Sequence, residues 1–317
     1  MADKLIVSSS PHIRSGVTTR KIMLDVILAL TPAAIASVII FGFKALVLIV
    51  CSVASCVLSE YVCRKVMKRE NTIGDLSAVV TGILIAFNVP VGVSPFIVIF
   101  GGIAAIVVVK QMFGGIGQNF VNPALTARII MMSSFPAPMS SWNTPFYYLH
   151  QTDAVTTASP LGILKEGSSG TMPTLLNMFV GVRAGCLGET CAIALILGGI
   201  YLVVRKVISP AIPLSYVGTV AVISLIAGRN VLFDILAGGL LLGAIFMATD
   251  YATSPINLKG KIVFAVGAGV ITMLIRLFGQ LPEGVSFSII LMNLLVPHIE
   301  RLTRPLAFGK ERVKNEN

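Results

Sequence analysis

An all-α integral membrane protein, with about ten transmembrane helices in two inverted five-helix repeats and both termini in the cytoplasm, is the fold the sequence predicts. Three observations predict it. Apolar runs of spanning length recur along the 317 residues, basic residues crowd alternate connections, and one short order of residues recurs in both halves. Charged residues make up 12% and hydrophobic residues 55% of the chain, against about 25% charged in an ordinary soluble domain. With a mean hydropathy of +0.90, a soluble globular fold is excluded.

A spanning helix needs roughly 20 mostly apolar residues to cross a hydrocarbon core about 30 Å thick. Candidate spans run over 22–43, 45–63, 72–88, 94–110, 122–135, 173–204, 211–228, 231–249, 261–278 and 285–302. The first begins only at Ile22, is long enough to span and carries Asp25, so it reads as a retained helix and not a cleavable leader. The fifth is short. The sixth is interrupted by Gly181, Arg183, Gly185 and Gly188, so that the fifth and the sixth each admit a half-helix or re-entrant piece.

Orientation follows from Lys and Arg, which concentrate in cytoplasmic connections. Of the 24, 18 fall in one alternating set of connections and the termini; Lys44, Lys165, Arg183, Arg229 and Arg276 fall in the other, and Arg128 lies inside a span. Both termini are therefore expected in the cytoplasm, with an even number of spans. The formal net charge of +10 then reflects topology and anionic lipid; no aromatic-interleaved basic patch points to nucleic acid. The expected organisation is a cytoplasmic segment 1–21, a first repeat 22–136, an outer loop 137–171, a second repeat 172–303 and a cytoplasmic tail 304–317.

The repeat rests on order. Asp75 is followed by a Gly-containing apolar run, Ser94-Pro95, a second apolar run and Phe113-Gly114; Asp234 is followed likewise by Ser254-Pro255 and Phe278-Gly279. The two stretches run in opposite directions through the membrane, and such inverted repeats place sites near the midplane between halves. Short matches of this kind also recur by chance in apolar sequence.

Ionisable residues in spans are costly and face partners or watery paths. Asp25, Asp75, Arg128, Glu189, Asp234 and Asp250 lie in spans or at their edges, where the aspartates read equally as helix caps. The segment F-G-G-I-G-Q-N-F-V-N-P (113–123) lacks the ending of a phosphate loop. It reads either as a flexible cytoplasmic turn or as a ring-binding edge, where glycine admits close backbone approach and Asn119 and Asn122 offer amide groups. The five cysteines have no metal-ligand spacing and the three histidines are dispersed, so no metal site and no cytochrome b-type haem pair is expected.

In the outer loop, D-A-V-T-T-A-S-P-L (153–161) resembles the acceptor motif for covalent flavin attachment, in which a transferase joins the FMN phosphate to a Ser or Thr hydroxyl. The pattern falls on Asp153, Thr156, Thr157, Ala158 and Ser159, and puts the attachment at Ser159. Thr157, standing where the pattern usually has glycine, is a rival acceptor, and Ser159 stands where threonine is more usual. Together with S-P-H-I-R (10–14), K-Q-M-F-G-G-I-G-Q-N-F-V-N-P-A (110–124), M-A-T-D-Y-A-T-S-P (247–255) and P-E-G-V-S-F-S-I-I-L-M-N (282–293), the chain resembles the D subunits of the Rnf electron-transport complex along nearly its whole length. It is similar, more distantly, to the B subunits of the sodium-translocating NADH:quinone oxidoreductase.

The resemblance implies a membrane subunit of a ferredoxin:NAD+ oxidoreductase that couples electron transfer to Na+ or H+ translocation. It implies a multi-pass place in the cell (inner) membrane with the flavin loop outside, neighbouring iron-sulfur and flavin subunits, and a flavin transferase. It also implies a second, noncovalent flavin, riboflavin, for which Asn119, Asn122, Asp250, Thr253 and Ser254 are the candidate residues; no residue is assigned a catalytic role. The competing class is a secondary transporter or channel, which needs no redox cofactor; a purely structural scaffold would make Ser159 dispensable.

Overall fold

The computed structural model describes residues 16–149, 156–157, 159–166, 172–279 and 283–305. Helix α1 (Thr19–Phe41) starts where the Thr18 hydroxyl accepts the Lys21 N–H, and α2 (Phe43–Val66) follows after a single residue. That residue is Gly42, at φ +76°, where a Cβ would fall 2.8 Å from the Tyr148 ring. Backbone and space both demand glycine here. Residues 146–149 close over this junction: the Phe146 N–H donates to Ile40 O at 2.8 Å and the Tyr148 hydroxyl to Ile39 O at 2.7 Å.

At 23 and 24 residues, α1 and α2 are each about 35 Å long, enough to cross a bilayer core. With α13 (Leu258–Phe278) and α14 (Val285–Thr303) they make four helices of spanning length and apolarity among the described residues. Shorter apolar helices complete the bundle: α3 (Ser77–Phe87), α4 (Pro95–Ile103) continuing as a π-helical stretch to Gln111, α9 (Ala192–Val204) and α10 (Ala211–Ile226). This is a mainly helical, multi-pass membrane protein. Helix α2 packs on α3 and α4, α10 on α11 (Val231–Leu236) and α13, α1 on α9, and α5 (Pro123–Ser134), which is followed by the short α6 (Pro136–Ser140), on α14. Leu30, Phe41, Ile85, Phe87, Tyr216 and Phe264 fill the interior, while Leu28, Ile35, Ile39, Leu214 and Leu225 point outward, as suits a surface whose solvent is lipid.

Several expected spans are interrupted, each for a local reason. Over 72–88, Asp75 accepts both the N–H and the hydroxyl of Ser77, at 2.8 and 2.6 Å, and Leu76 sits at φ +64°, so α3 begins only at Ser77. Over 231–249 the chain forms α11 (Val231–Leu236), bends, and resumes as α12 (Leu240–Leu242) running into a π-helical stretch Gly243–Met247. The glycine-broken sixth run consists of α8 (Leu175–Val180), an irregular segment 181–191, and α9.

A broken helix leaves carbonyls that hydrocarbon cannot satisfy. At the end of α3 the segment after α8 supplies donors: Leu187 N–H to Val89 O at 3.1 Å and Gly188 N–H to Phe87 O at 3.0 Å. Arg128 adds a 2.7 Å bond to the Asn88 side-chain oxygen. At the end of α11 a guanidinium does the work, Arg276 donating to Asp234 O at 2.6 Å and Ala237 O at 3.0 Å. A cation suits the negative end of a helix dipole.

Candidate functional site

The expected acceptor loop is held at two points. Strands β1 (Trp142–Asn143) and β2 (Thr156–Thr157) pair antiparallel, with Trp142 opposite Thr157 and Asn143 opposite Thr156. Asp153 and Ala158 lie outside the described residues, and only the backbone of Thr156 and Thr157 is described. Ser159 is 5% exposed, and its Oγ accepts the Gly162 N–H at 3.2 Å, at the start of helix α7 (Pro160–Glu166). From there Leu161 is buried against the bend after α11: Gly238 sits at φ +64°, and a Cβ on it would meet Leu161 Cδ1 at 2.9 Å. Lys165 Nζ donates to Gly279 O. The serine and its helix are thus seated where α10 ends, α11 bends and α13 ends.

Between α7 and those helix ends lies a cavity of about 200 Å³, lined by Lys165, Arg229, Arg276 and three leucines. Asp234, buried beneath it, accepts from Arg229 through both oxygens at 2.9 and 2.8 Å and from the Ser224 hydroxyl at 2.7 Å.

At the opposite end of the bundle a second cavity of about 120 Å³ brings together Asn119, Asn122 and Asp250, with Lys110, Ser77, Thr249 and Tyr251, under apolar side chains of α1, α3 and α9. Asn122 spends its amide on structure: Oδ1 caps α5 through the Ala124 and Leu125 N–H groups, and Nδ2 donates to Met247 O at 3.2 Å. Asn119 Nδ2 donates to Val121 O at 3.4 Å. Thr253 does not line this cavity; its hydroxyl supports Asp250 from behind at 3.2 Å. Ser254 lines a neighbouring cavity of about 180 Å³ that shares Thr249 and Tyr251. Burial pushes the Asp250 carboxyl above the usual carboxylate range, against the Thr253 hydroxyl and the Ala252 and Tyr251 N–H groups, which pull it down. Asn293, with its amide turned to donate to Thr253 O at 3.0 Å and to accept the Asn122 N–H at 3.1 Å, ties the two neighbourhoods together.

Beside this cavity lies a closed polar knot. Lys110 Nζ donates to both oxygens of Glu60, at 3.1 and 2.9 Å, and to Ser77 Oγ at 2.6 Å. Gln111 and Thr72 also donate to Glu60, at 2.9 and 3.2 Å. The glycine-rich turn packs onto it so closely that a Cβ on Gly115 would collide with Arg64 Nη2.

The ionisable residues singled out in the sequence acquire partners. Arg128 forms an ion pair with Glu283; Arg183 donates to Glu189 O at 2.6 Å; Asp25 accepts from the Tyr201 hydroxyl at 2.9 Å and from Arg205 at 3.4 Å. One donor atom each of Cys186, Glu189 and Glu283 lie within 4.8 Å of one another, a grouping that sequence spacing does not reveal. Sequence reasoning also passed over Glu60, Lys110, Arg276 and Asn293 as site residues. Glu60 carried a signal, being a lone acid inside an apolar run; Lys110 enters the sequence reading only through the orientation count and as the first residue of the 110–124 motif.

The model of the NQR2, RnfD, RnfE family matches residues 6–309. The chain is 48% identical to the D subunit of the Na(+)-translocating ferredoxin:NAD(+) oxidoreductase complex of Acetobacterium woodii, over 98% of each chain. It is 43% identical to the D subunit of the proton-translocating ferredoxin:NAD(+) oxidoreductase complex of Clostridium ljungdahlii, over 96% of each. The D subunit of the ion-translocating oxidoreductase complex of Stutzerimonas stutzeri is 36% identical, over 94% of each.

Proposed function

This chain belongs to the NQR2, RnfD, RnfE family, and from that premise we propose that it is the D-type membrane subunit of an ion-translocating ferredoxin:NAD+ oxidoreductase complex. In this reading it carries FMN as a phosphoester on Ser159 and works beside iron-sulfur and flavin subunits while the complex moves Na+ or H+. Near-full-length likeness to D subunits named for that activity carries the proposal. One of those relatives is named for Na+ and the other for protons, so the ion is left as either.

The flavin, when bound, supplies a relay between one-electron and two-electron partners. The chain's own contribution is to hold it. Ser159 offers the hydroxyl, β2 and α7 fix the backbone on either side, and basic side chains line the adjoining cavity. These features fit a tethered flavin phosphate. The 18 to five partition of Lys and Arg supports placing this loop on the outer face and both termini in the cytoplasm. About ten spans in two inverted repeats is the architecture that goes with it: α2 packs on α3 and α4 as α10 packs on α11 and α13, and α4 meets α5 as α13 meets α14.

For a noncovalent riboflavin the opposite cavity is the proposed place, with Asn119 and Asp250 as its polar contacts and Asn122, Thr253 and Ser254 around it. Ala at Asn122 or Asp250 is expected to lower the noncovalent flavin content of the purified chain; unchanged content removes these residues from the site.

The deciding experiment is in-gel flavin fluorescence of the denatured chain, produced with and without a flavin transferase, alongside Ser159→Ala and Thr157→Ala. Loss with Ser159→Ala alone fits the proposal; loss with Thr157→Ala alone moves the link to Thr157. A dark wild type in transferase-competent cells transfers the reading to a secondary transporter, for which the interrupted helices would be the substrate path.

A further inference from the structure

We propose that one water molecule is bound inside the bundle, in front of Gly239, where it bridges Glu189 to Glu283 and accepts from Arg128. The site lies where the interrupted helices meet. Arg128 comes from α5, Gly239 from the bend between α11 and α12, Glu189 from the segment 181–191 and Glu283 from just before α14. It depends on neither flavin.

Unmet hydrogen-bonding capacity points to it first. Glu189 Oε1 accepts the Cys186 N–H at 3.0 Å, and Glu283 Oε2 is taken by Arg128. The other two oxygens, Glu189 Oε2 and Glu283 Oε1, are buried without a donor among the described residues. Atoms left so are costly, and buried water is what typically answers them.

Room is the second observation. Within 4 Å of a Cβ built on Gly239, apart from the adjoining chain, stand two atoms of the described residues: Glu189 Oε2 at 3.2 Å and Arg128 Nη1 at 3.8 Å. The space in front of this glycine is thus about the size of a methyl group, which is also about the size of a water, and polar atoms face it.

Reach is the third. One oxygen each of Glu189 and Glu283, together with Cys186 Sγ, lie within 4.8 Å of one another. Two O–H···O bonds of about 2.8 Å leaving one water at the tetrahedral angle span about 4.6 Å, so a single molecule serves both carboxylates. Its oxygen then faces Arg128 Nη1, which gives one hydrogen to Asn88 Oδ1 and carries a second. Three hydrogen bonds are the usual complement of a buried water.

Charge decides against an ion. Arg128 and Arg183 stand within electrostatic reach of both Glu189 and Glu283, and Arg276 is within reach of Glu283 from α13. The two carboxylates are therefore already matched. A further cation would meet the Arg128 guanidinium at close range, and an anion would meet two carboxylates. A neutral molecule that both donates and accepts suits every wall.

The test is radiolytic hydroxyl-radical labelling of the full chain in native membranes equilibrated with heavy-oxygen water. Uptake is read by mass spectrometry at Cys186 and Cys56 and normalised to the denatured chain. The two thiols are equally hidden, at 1% and 0% exposure, but Cys186 belongs to the carboxylate cluster whereas Cys56 lies against Gly102 O. The expected result is heavy oxygen at Cys186 at several times the level at Cys56. It should fall to the Cys56 level in Gly239→Ala, whose methyl group takes the water's place on an ordinary backbone of φ −80°. Equal, low labelling of the two thiols in wild type overturns the proposal. Labelling of Cys186 that Gly239→Ala leaves unchanged also overturns it, since the water then stands elsewhere. If Gly239→Ala does not accumulate in the membrane, the wild-type comparison decides.

Discussion

Glu60 and Asp234 are both carboxylates sunk in the helix bundle beside basic partners, and they differ in what those partners have left over. Around Glu60 the charge pair itself is fully engaged: the three donors of Lys110 go to its two oxygens and to Ser77, and both members are almost wholly buried, although Gln111 Oε1 beside them has no partner among the described residues. Around Asp234 the arrangement is open. Arg229 is 26% exposed, Arg276 faces away to the carbonyls of the α11 bend, and a cavity adjoins them. The same pairing of charges is thus committed donor by donor at one end and partly exposed at the other. The lesson is that the charge of a buried pair says little until every donor has been followed to its acceptor.

That contrast can be broken experimentally, starting where the effect is largest. Lys110→Ala leaves the buried Glu60 without its cation, and breaking a buried pair in this way costs about 3–5 kcal/mol. A matching drop in thermal unfolding temperature in detergent is expected, with part of it recovered in the Glu60→Leu, Lys110→Met double variant. No recovery would mean that Gln111 and Thr72, not the charge pair, carry the knot. Arg229→Ala should cost less, about 1–3 kcal/mol, because Asp234 keeps Ser224 and water reaches the site from the cavity side. Equal losses in the two variants would abolish the distinction between closed and open ends.

How far the sequence reached depends on the distance over which the information is stored. Span positions, the break after α8 and the basic bias are local properties, and the glycines at 181, 185 and 188 announced the irregular segment before α9. The start of α3 was less legible, since it depends on a left-handed Leu76 inside a run that hydropathy alone would continue. Tertiary pairings were illegible in principle: Glu60 and Lys110 are 50 positions apart, and Arg276 meets Asp234 across 42. Asn119, Asn122 and Asp250 are nominated, with Thr253 and Ser254, as residues that an inverted repeat would bring together, and these three share a cavity wall. Asn122 nonetheless turned out to hold α5 and the π-helical stretch together, and Thr253 stands behind Asp250. Polar residues that cap helices and polar residues that contact ligands look alike in a string of letters, because both are amides and hydroxyls at helix ends.

The burial of Ser159 has a temporal consequence. A hydroxyl that is 5% exposed and already committed to the first turn of α7 offers an incoming enzyme little to grip. On the attachment proposed at Ser159, a transferase would have to arrive while α7 is still unseated and β2 has not yet zipped onto β1, or wait for that corner to come undone. Maturation of this chain would then be a race between a modifying enzyme and the settling of one short helix, won most easily on a freshly inserted polypeptide.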